Sequence, residues 1–237
     1  MITLFPKRLT HTILWDIRLQ FRNGFYYAAG IVAVLSIGLL SQLPRETLAW
    51  VLPIFVLGNL LMNAFYFISG LVLLEKGEGT LEAQIVTPLR NQEYLISKVL
   101  TLTLLSLLEN LTIVALTYGF GRHLLPVLVA LLLTGPLYAL FGFLIVVRYE
   151  AINEYLLPSV VFATLLSLPM LAYLGLNLSW LIYLHPLQGA LVWLTAAFQP
   201  IPAPAWQLLY SLFYSLAWIA VAYHLSRRAF YRFVITI

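Results

Sequence analysis

Few residues in this chain are equipped for chemistry, and several of them sit where polarity is costly. Asn59, Asn63, Tyr66 and Gly70 recur at i, i+4, i+7 and i+11, which places them on one face of a helix. Thr103, Ser106 and Asn110 form a second stripe, with Glu109 beside it near the middle of another apolar run. A carboxylate at the centre of a bilayer costs a few kcal/mol, so Glu109 must be neutral, paired or facing water. On the functional reading, Asn59, Asn63, Tyr66, Ser106, Glu109 and Asn110 line a substrate path, or Glu109 acts as a proton-sensitive switch within it. On the plainer reading, the Asn, Ser, Thr and Gly residues hold helices together. Glu109 has the stronger claim to function, because intramembrane acids mark pathways and relays.

Much other chemistry is missing by motif. No G-x-x-x-x-G-K-S/T string occurs, so Gly77-x-Gly79 is no phosphate loop and this chain is not expected to bind ATP as a P-loop protein does. Neither an H-E-x-x-H zinc pattern nor a G-x-S-x-G nucleophile elbow is present. The four His are scattered, with His185 better suited to a structural cap than to a ligand, and Asp16 is the only Asp. Cys is absent, which removes disulfides, thiolate nucleophiles and thiolate metal ligands together. No catalytic, cofactor or metal residues are therefore expected.

The most densely charged stretch runs from Leu73 to Leu100, LLEKGEGTLEAQIVTPLRNQEYLISKVL, between two long apolar runs. Gly77 and Gly79 permit a sharp turn. Thr80 is placed to cap a following short helix, on which Leu81 and Ile85 share a face. Pro88 stops that helix by pushing Thr87 out of the α region. Asn91 can cap the next helix, with Glu93 in its first turn, where the helix dipole favours an acid. A short capped helix on the water side of a membrane protein is a handle for a partner; an ordinary loop with one helical turn is the bland alternative.

The string Glu75-Lys76-Gly77-Glu78-Gly79-Thr80-Leu81-Glu82, followed by Val86-Thr87-Pro88-Leu89 and by Lys98 in a helix, resembles the type-2 ABC export permeases. Within them it is similar to the fluoroquinolone export permeases. The resemblance implies that this segment is a coupling helix docking on a separate ATP-binding subunit. Glu75, Glu78, Gly79, Thr80, Leu81, Glu82, Ile85, Thr87, Pro88 and Lys98 would then be the coupling residues.

The elements that must position these residues follow from composition and period. The chain has 237 residues, 62% hydrophobic and only 9% charged, far from the soluble norm of about 25% charged. An all-α integral membrane protein is expected, as a single transmembrane domain over 1–237. The net charge of +4 suits anionic headgroups, and its spread over loops and tails excludes a nucleic-acid stripe. No cleavable signal sequence is expected at the basic N-terminus. Over residues 5–23, Leu9, Ile13, Ile17 and Phe21 recur every four residues with Leu14 at helical spacing, opposite Lys7, His11, Arg18 and Arg22. This predicts an interfacial amphipathic helix, ending in a bend at Asn23-Gly24 and matching the elbow helix of the resembled family.

Six spans are expected at about 25–43, 48–74, 97–119, 125–147, 156–176 and 207–226. With both termini on one side, that side holds Lys7, Arg8, Arg18, Arg22, Lys76, Arg90, Lys98, Arg148, Arg227, Arg228 and Arg232, against Arg45 and Arg122 on the other. The first side is therefore expected to be cytoplasmic, in the plasma (inner) membrane. This makes 75–96 a cytoplasmic coupling loop between spans 2 and 3. Residues 177–206 are apolar yet broken by Pro186, Pro200, Pro202 and Pro204, and predict re-entrant outer half-helices between spans 5 and 6. Glu150 and Glu154 before span five read as a solvated turn.

What the resemblance implies is a permease subunit, not an enzyme, of an ATP-driven exporter. It would pair with a second, identical or related, permease copy and with ATP-binding subunits that hold ATP and Mg. It would move an amphipathic small molecule, drug-like or a lipid, from the cytoplasm or inner leaflet. A proton-coupled carrier using Glu109 and a non-transporting membrane assembly factor are the competing classes.

Overall fold

A computed structural model describes residues 4–81, 91–175, 180–199 and 203–235, and every regular element among them is helical. The chain begins with α1, Leu4–Arg22, and α2, Phe25–Leu40, which meet at 64°. Gly24 makes the bend at φ 84, a left-handed value that other residues adopt only with strain. The sides of α1 follow the period in part: Leu9, Ile13 and Ile17 are half-buried and His11, Arg18 and Arg22 are exposed. Asp16 and Gln20 are buried against the bundle, whereas Leu14, Trp15 and Phe21 face outward. For a helix at a lipid boundary these departures are physical, because exposed apolar side chains find lipid outside and the two buried polar ones find partners inside.

The longest element is α3, an unbroken run of 33 residues over Arg45–Gly77. At 1.5 Å per residue it is about 50 Å long, well beyond the roughly 30 Å of hydrocarbon. It contains a π turn at Leu61–Tyr66. Next come α4, Asn91–Thr117, and α5, Leu124–Val146. The α5 helix is the central post, packing on α3, α4 and the last two helices of the chain. Its approach to α3 is set by Gly142. A Cβ there would lie 2.5 Å from the carbonyl oxygen of Phe65 and 3.1 Å from its Cα, so the two backbones are in direct contact.

The expected fifth span is not one helix. It consists of α6, Ile152–Leu166, and the short α7, Leu168–Tyr173, separated at Ser167. Pro169 lies directly after the break, and its ring and missing N–H disfavour a continuous helix there. A single 3₁₀ stretch, Trp180–Leu184, leads through His185-Pro186 to α8, Gln188–Phe198, which is buried against α3, α5 and α9. The α9 helix, Ala205–Phe230, extends as a π turn over Tyr231–Ile235. By length and composition α3, α4, α5 and the α9 run can each cross a membrane, and the bent α1–α2 pair makes a fifth candidate. The chain is a multi-pass membrane protein. Of the expected outer segment, residues 177–179 and 200–202 lie outside the described residues.

Candidate functional site

The two polar stripes meet. Asn63 Nδ2 donates to Glu109 Oε2 at 2.5 Å, and Asn59 Nδ2 donates to Glu109 Oε1 at 3.2 Å and to Asn110 Oδ1 at 3.1 Å. Asn110 Nδ2 in turn donates to the carbonyl of Ser106 at 2.8 Å. That backbone oxygen can only accept, so it fixes the orientation of the Asn110 amide. Asn110 must then present Oδ1 to Asn59, and Asn59 must present its N–H groups to both Asn110 and Glu109. Donation therefore branches at Asn59: one N–H goes to the carboxyl group, and the other starts a relay through Asn110 that ends on the Ser106 carbonyl. Glu109 is only 5% exposed, and Asn59, Asn63 and Asn110 are buried with it.

Helix geometry explains why α3 can present two amides there. Asn59 precedes the π turn and Asn63 lies within it. A π turn shifts backbone carbonyls out of the regular ladder, and such turns recur at functional positions. The Phe65 carbonyl inside this turn accepts from Ser69 Oγ at 2.7 Å, and Tyr155 on α6 donates to that same Ser69 Oγ at 2.7 Å. Two residues of the expected path play other parts. Ser106 contributes its backbone carbonyl while its hydroxyl donates to Leu102 O at 2.9 Å. Tyr66 stands aside, half-buried with its ring edge-on to Phe65.

A second polar centre lies where α1, the end of α3 and the start of α4 converge. Lys98 is fully buried, with its Nζ 2.5 Å from Glu75 Oε1 and 3.1 Å from Asp16 Oδ1. Tyr94 donates its hydroxyl to Glu75 Oε2 at 2.6 Å, and Ser97 donates to Asp16. Gln20 donates to Thr101 at 2.7 Å one turn further on, and Arg8 pairs with Glu93 at 3.1 Å. The resemblance implies coupling roles for Glu75, at the start of the loop, and Lys98, in the helix after it; the structure turns both inward and joins them to each other. Asp16 was missed altogether. The available signal was Asp16 and Gln20 four apart on α1, the spacing of one helical face.

The foot of α3 is anchored as well. Lys76 Nζ reaches the carbonyls of Val147 at 2.9 Å and Tyr149 at 3.0 Å, and pairs with Glu150 at 2.8 Å, which ties the foot of α3 to the end of α5. Gly79 adopts φ 66, as its turn requires, and Glu78 is exposed. Thr80 donates its hydroxyl to Glu75 O at 3.1 Å, and the residues of the helix it is expected to cap lie outside the described ones from residue 82. Leu81 is buried in the chain's own core, not offered outward. Glu82, Ile85, Thr87 and Pro88 lie outside the described residues, as does most of the expected helix over 80–86. His185 acts as a cap: Leu187 N–H donates to Nδ1 at 3.2 Å, leaving Nε2 to donate to Leu165 O at 3.1 Å. Among the described residues, no three acidic or His side chains are placed to hold a metal ion.

Residues 7–237 match the model of a family described as the fluoroquinolones export permease protein family. Two proteins named "Fluoroquinolones export permease protein", from the CDC 1551 / Oshkosh and H37Rv strains of Mycobacterium tuberculosis, are each 30% identical to the chain over 229 residues. The matched region covers 96% of this chain and 97% of each relative.

Proposed function

The chain belongs to the fluoroquinolones export permease protein family, and from that premise we propose that it is the membrane subunit of an ATP-driven exporter of the type-2 ABC class. Family membership across nearly the whole chain carries this reading. Its substrate is an amphipathic small molecule taken from the cytoplasm or inner leaflet, with a fluoroquinolone-like drug as the leading case. Two permease copies would pair with two ATP-binding subunits that hold ATP and Mg. Both termini would be cytoplasmic, with six spans, α6–α7 forming the broken fifth.

The structure supplies a physical route for coupling on this reading. A partner pressing on residues 78–90 would act on a segment held by Lys76 on one side and by the Lys98 centre on the other. Force would pass into α3 and α4 together. Those two helices carry the Asn59–Asn63–Glu109–Asn110 quartet, so the same movement would reshape the only buried carboxyl group described at mid-span. Purification of the chain with its candidate ATPase, followed by a screen of amphipathic compounds for stimulated ATP hydrolysis, tests the reading. Absence of any ATP-binding partner, with transport driven by a proton gradient, would replace it with a secondary carrier.

A further inference from the structure

We infer that Glu109 is the counter-ion for a positively charged nitrogen on the transported amphiphile. This rests on the export reading and names the chemical class of substrate that the mid-span quartet selects.

Neutral donors surround Glu109, and no cation is paired with it among the described residues. Asn59 and Asn63 donate to one oxygen each, and the Ser106 carbonyl, through Asn110, fixes the orientation of the Asn59 amide. The amides thus do what water would do for a carboxylate, without supplying a charge. The buried cation on the same helix is Lys98, eleven residues away, or about 16 Å along the axis. It is already held between Asp16 and Glu75 and has no reach toward mid-span. A carboxyl group held in an apolar region by neutral donors alone is a place for a cation to arrive.

The surroundings suit an amphiphile. Met62 and Leu108 each adjoin a quartet member in sequence and are 56% and 54% exposed, and Leu104 lies one turn away, also exposed. They give the two helices that carry the quartet an uncovered apolar outer seam. Methionine at such a surface adapts to differently shaped apolar partners. An apolar body would rest on the seam and a cationic head would reach Glu109. A neutral amphiphile would find the seam but no charge partner, and an anionic head would be repelled.

The test uses purified full-length chain in neutral-lipid nanodiscs and two fluorescent probes of the same shape, one ending in a trimethylammonium group and the other in tert-butyl. A quaternary ammonium cannot exchange a proton, so preference for it reports charge and not protonation. Wild-type chain should bind the cationic probe about 30-fold or more tightly than the neutral one. Glu109→Gln should remove that preference while leaving the neutral probe's affinity unchanged. Glu109→Asp keeps the charge and should keep the preference, and the swap Glu109→Gln with Asn63→Asp should restore it. An equal affinity of wild-type chain for both probes overturns the inference, as does an undiminished preference in a folded Glu109→Gln variant. Should Glu109→Gln fail to fold, Glu109→Asp and the swap decide the matter, since loss of preference in both also overturns it. Binding needs no ATPase. A chain that shows the charge preference yet never engages an ATP-binding subunit would sink the export reading and leave this site standing.

Discussion

Replacing Lys98 by Met perturbs one buried charge that three helices share. Lys98 is 0% exposed, 2.5 Å from Glu75 and 3.1 Å from Asp16, with its ammonium 4.6 Å from the centre of the Tyr94 ring. Met matches the length of the side chain and removes only the charge and its donors. Asp16 and Glu75 would then face each other in a buried site without a cation. Breaking a buried pair in this way costs about 3–5 kcal/mol, because the surviving charges keep their desolvation penalty and lose its compensation. The matched control replaces the whole centre, Lys98→Met with Asp16→Leu and Glu75→Leu. Removing all three charges should bring stability back to within about 1 kcal/mol of wild type, or above it. Unfolding of the purified chain in a graded detergent mixture measures both. A structural readout accompanies it. The chain has no Cys, so spin labels at Trp15→Cys and Leu100→Cys, both exposed positions, report the distance between α1 and α4. That distance should broaden in Lys98→Met and stay narrow in wild type. A loss below about 1 kcal/mol in Lys98→Met, with an unchanged distance, would refute the ionic centre as the weld between α1 and the bundle.

Gly142→Val should destabilise the chain by about 1–3 kcal/mol in the same unfolding assay, because its Cβ would strike the Phe65 backbone where nothing can yield cheaply. Gly79→Val should cost about 1–2 kcal/mol locally at φ 66 and lower the yield of co-purified ATPase, while membrane insertion stays normal. A single Cys at Ala203 should label only from outside the cell; labelling from the cytoplasm alone would reverse the proposed orientation.

How much of this was legible in the sequence differs from residue to residue. The meeting of Asn59 and Asn63 with Glu109 and Asn110 could be anticipated, because polar residues at helical spacing in two adjacent spans have nowhere else to turn. The π turn at Leu61–Tyr66, in which Asn63 lies, could not, since no residue type marks it. Lys98 was counted with the cytoplasmic charges, yet its charge is internal and cancelled. Nothing local distinguishes a lysine that meets headgroups from one whose partners lie 23 and 82 residues away. Pro169 was visible, but the apolar run around it suggested one span where the backbone breaks. Thr80 fits the pattern of an N-cap, and the bond that its hydroxyl donates back to Glu75 O becomes visible only once α3 is seen to end there.

The contact between Gly142 and Phe65 gives α3 a fulcrum. The helix extends about 18 Å from Phe65 to its foot at Gly77, and about 9 Å from Phe65 to Asn59 on the other side. A rigid helix rocking on that point is a lever with a two-to-one arm. A sideways push of about 2 Å at the loop would carry Asn59 about 1 Å in the opposite direction. Its hydrogen bond to Glu109 is already 3.2 Å long, so that displacement suffices to break it, while Asn63, nearer the pivot, moves less and keeps its hold. One stroke at the foot of the helix would thus loosen one side of the carboxyl group's grip and leave the other closed.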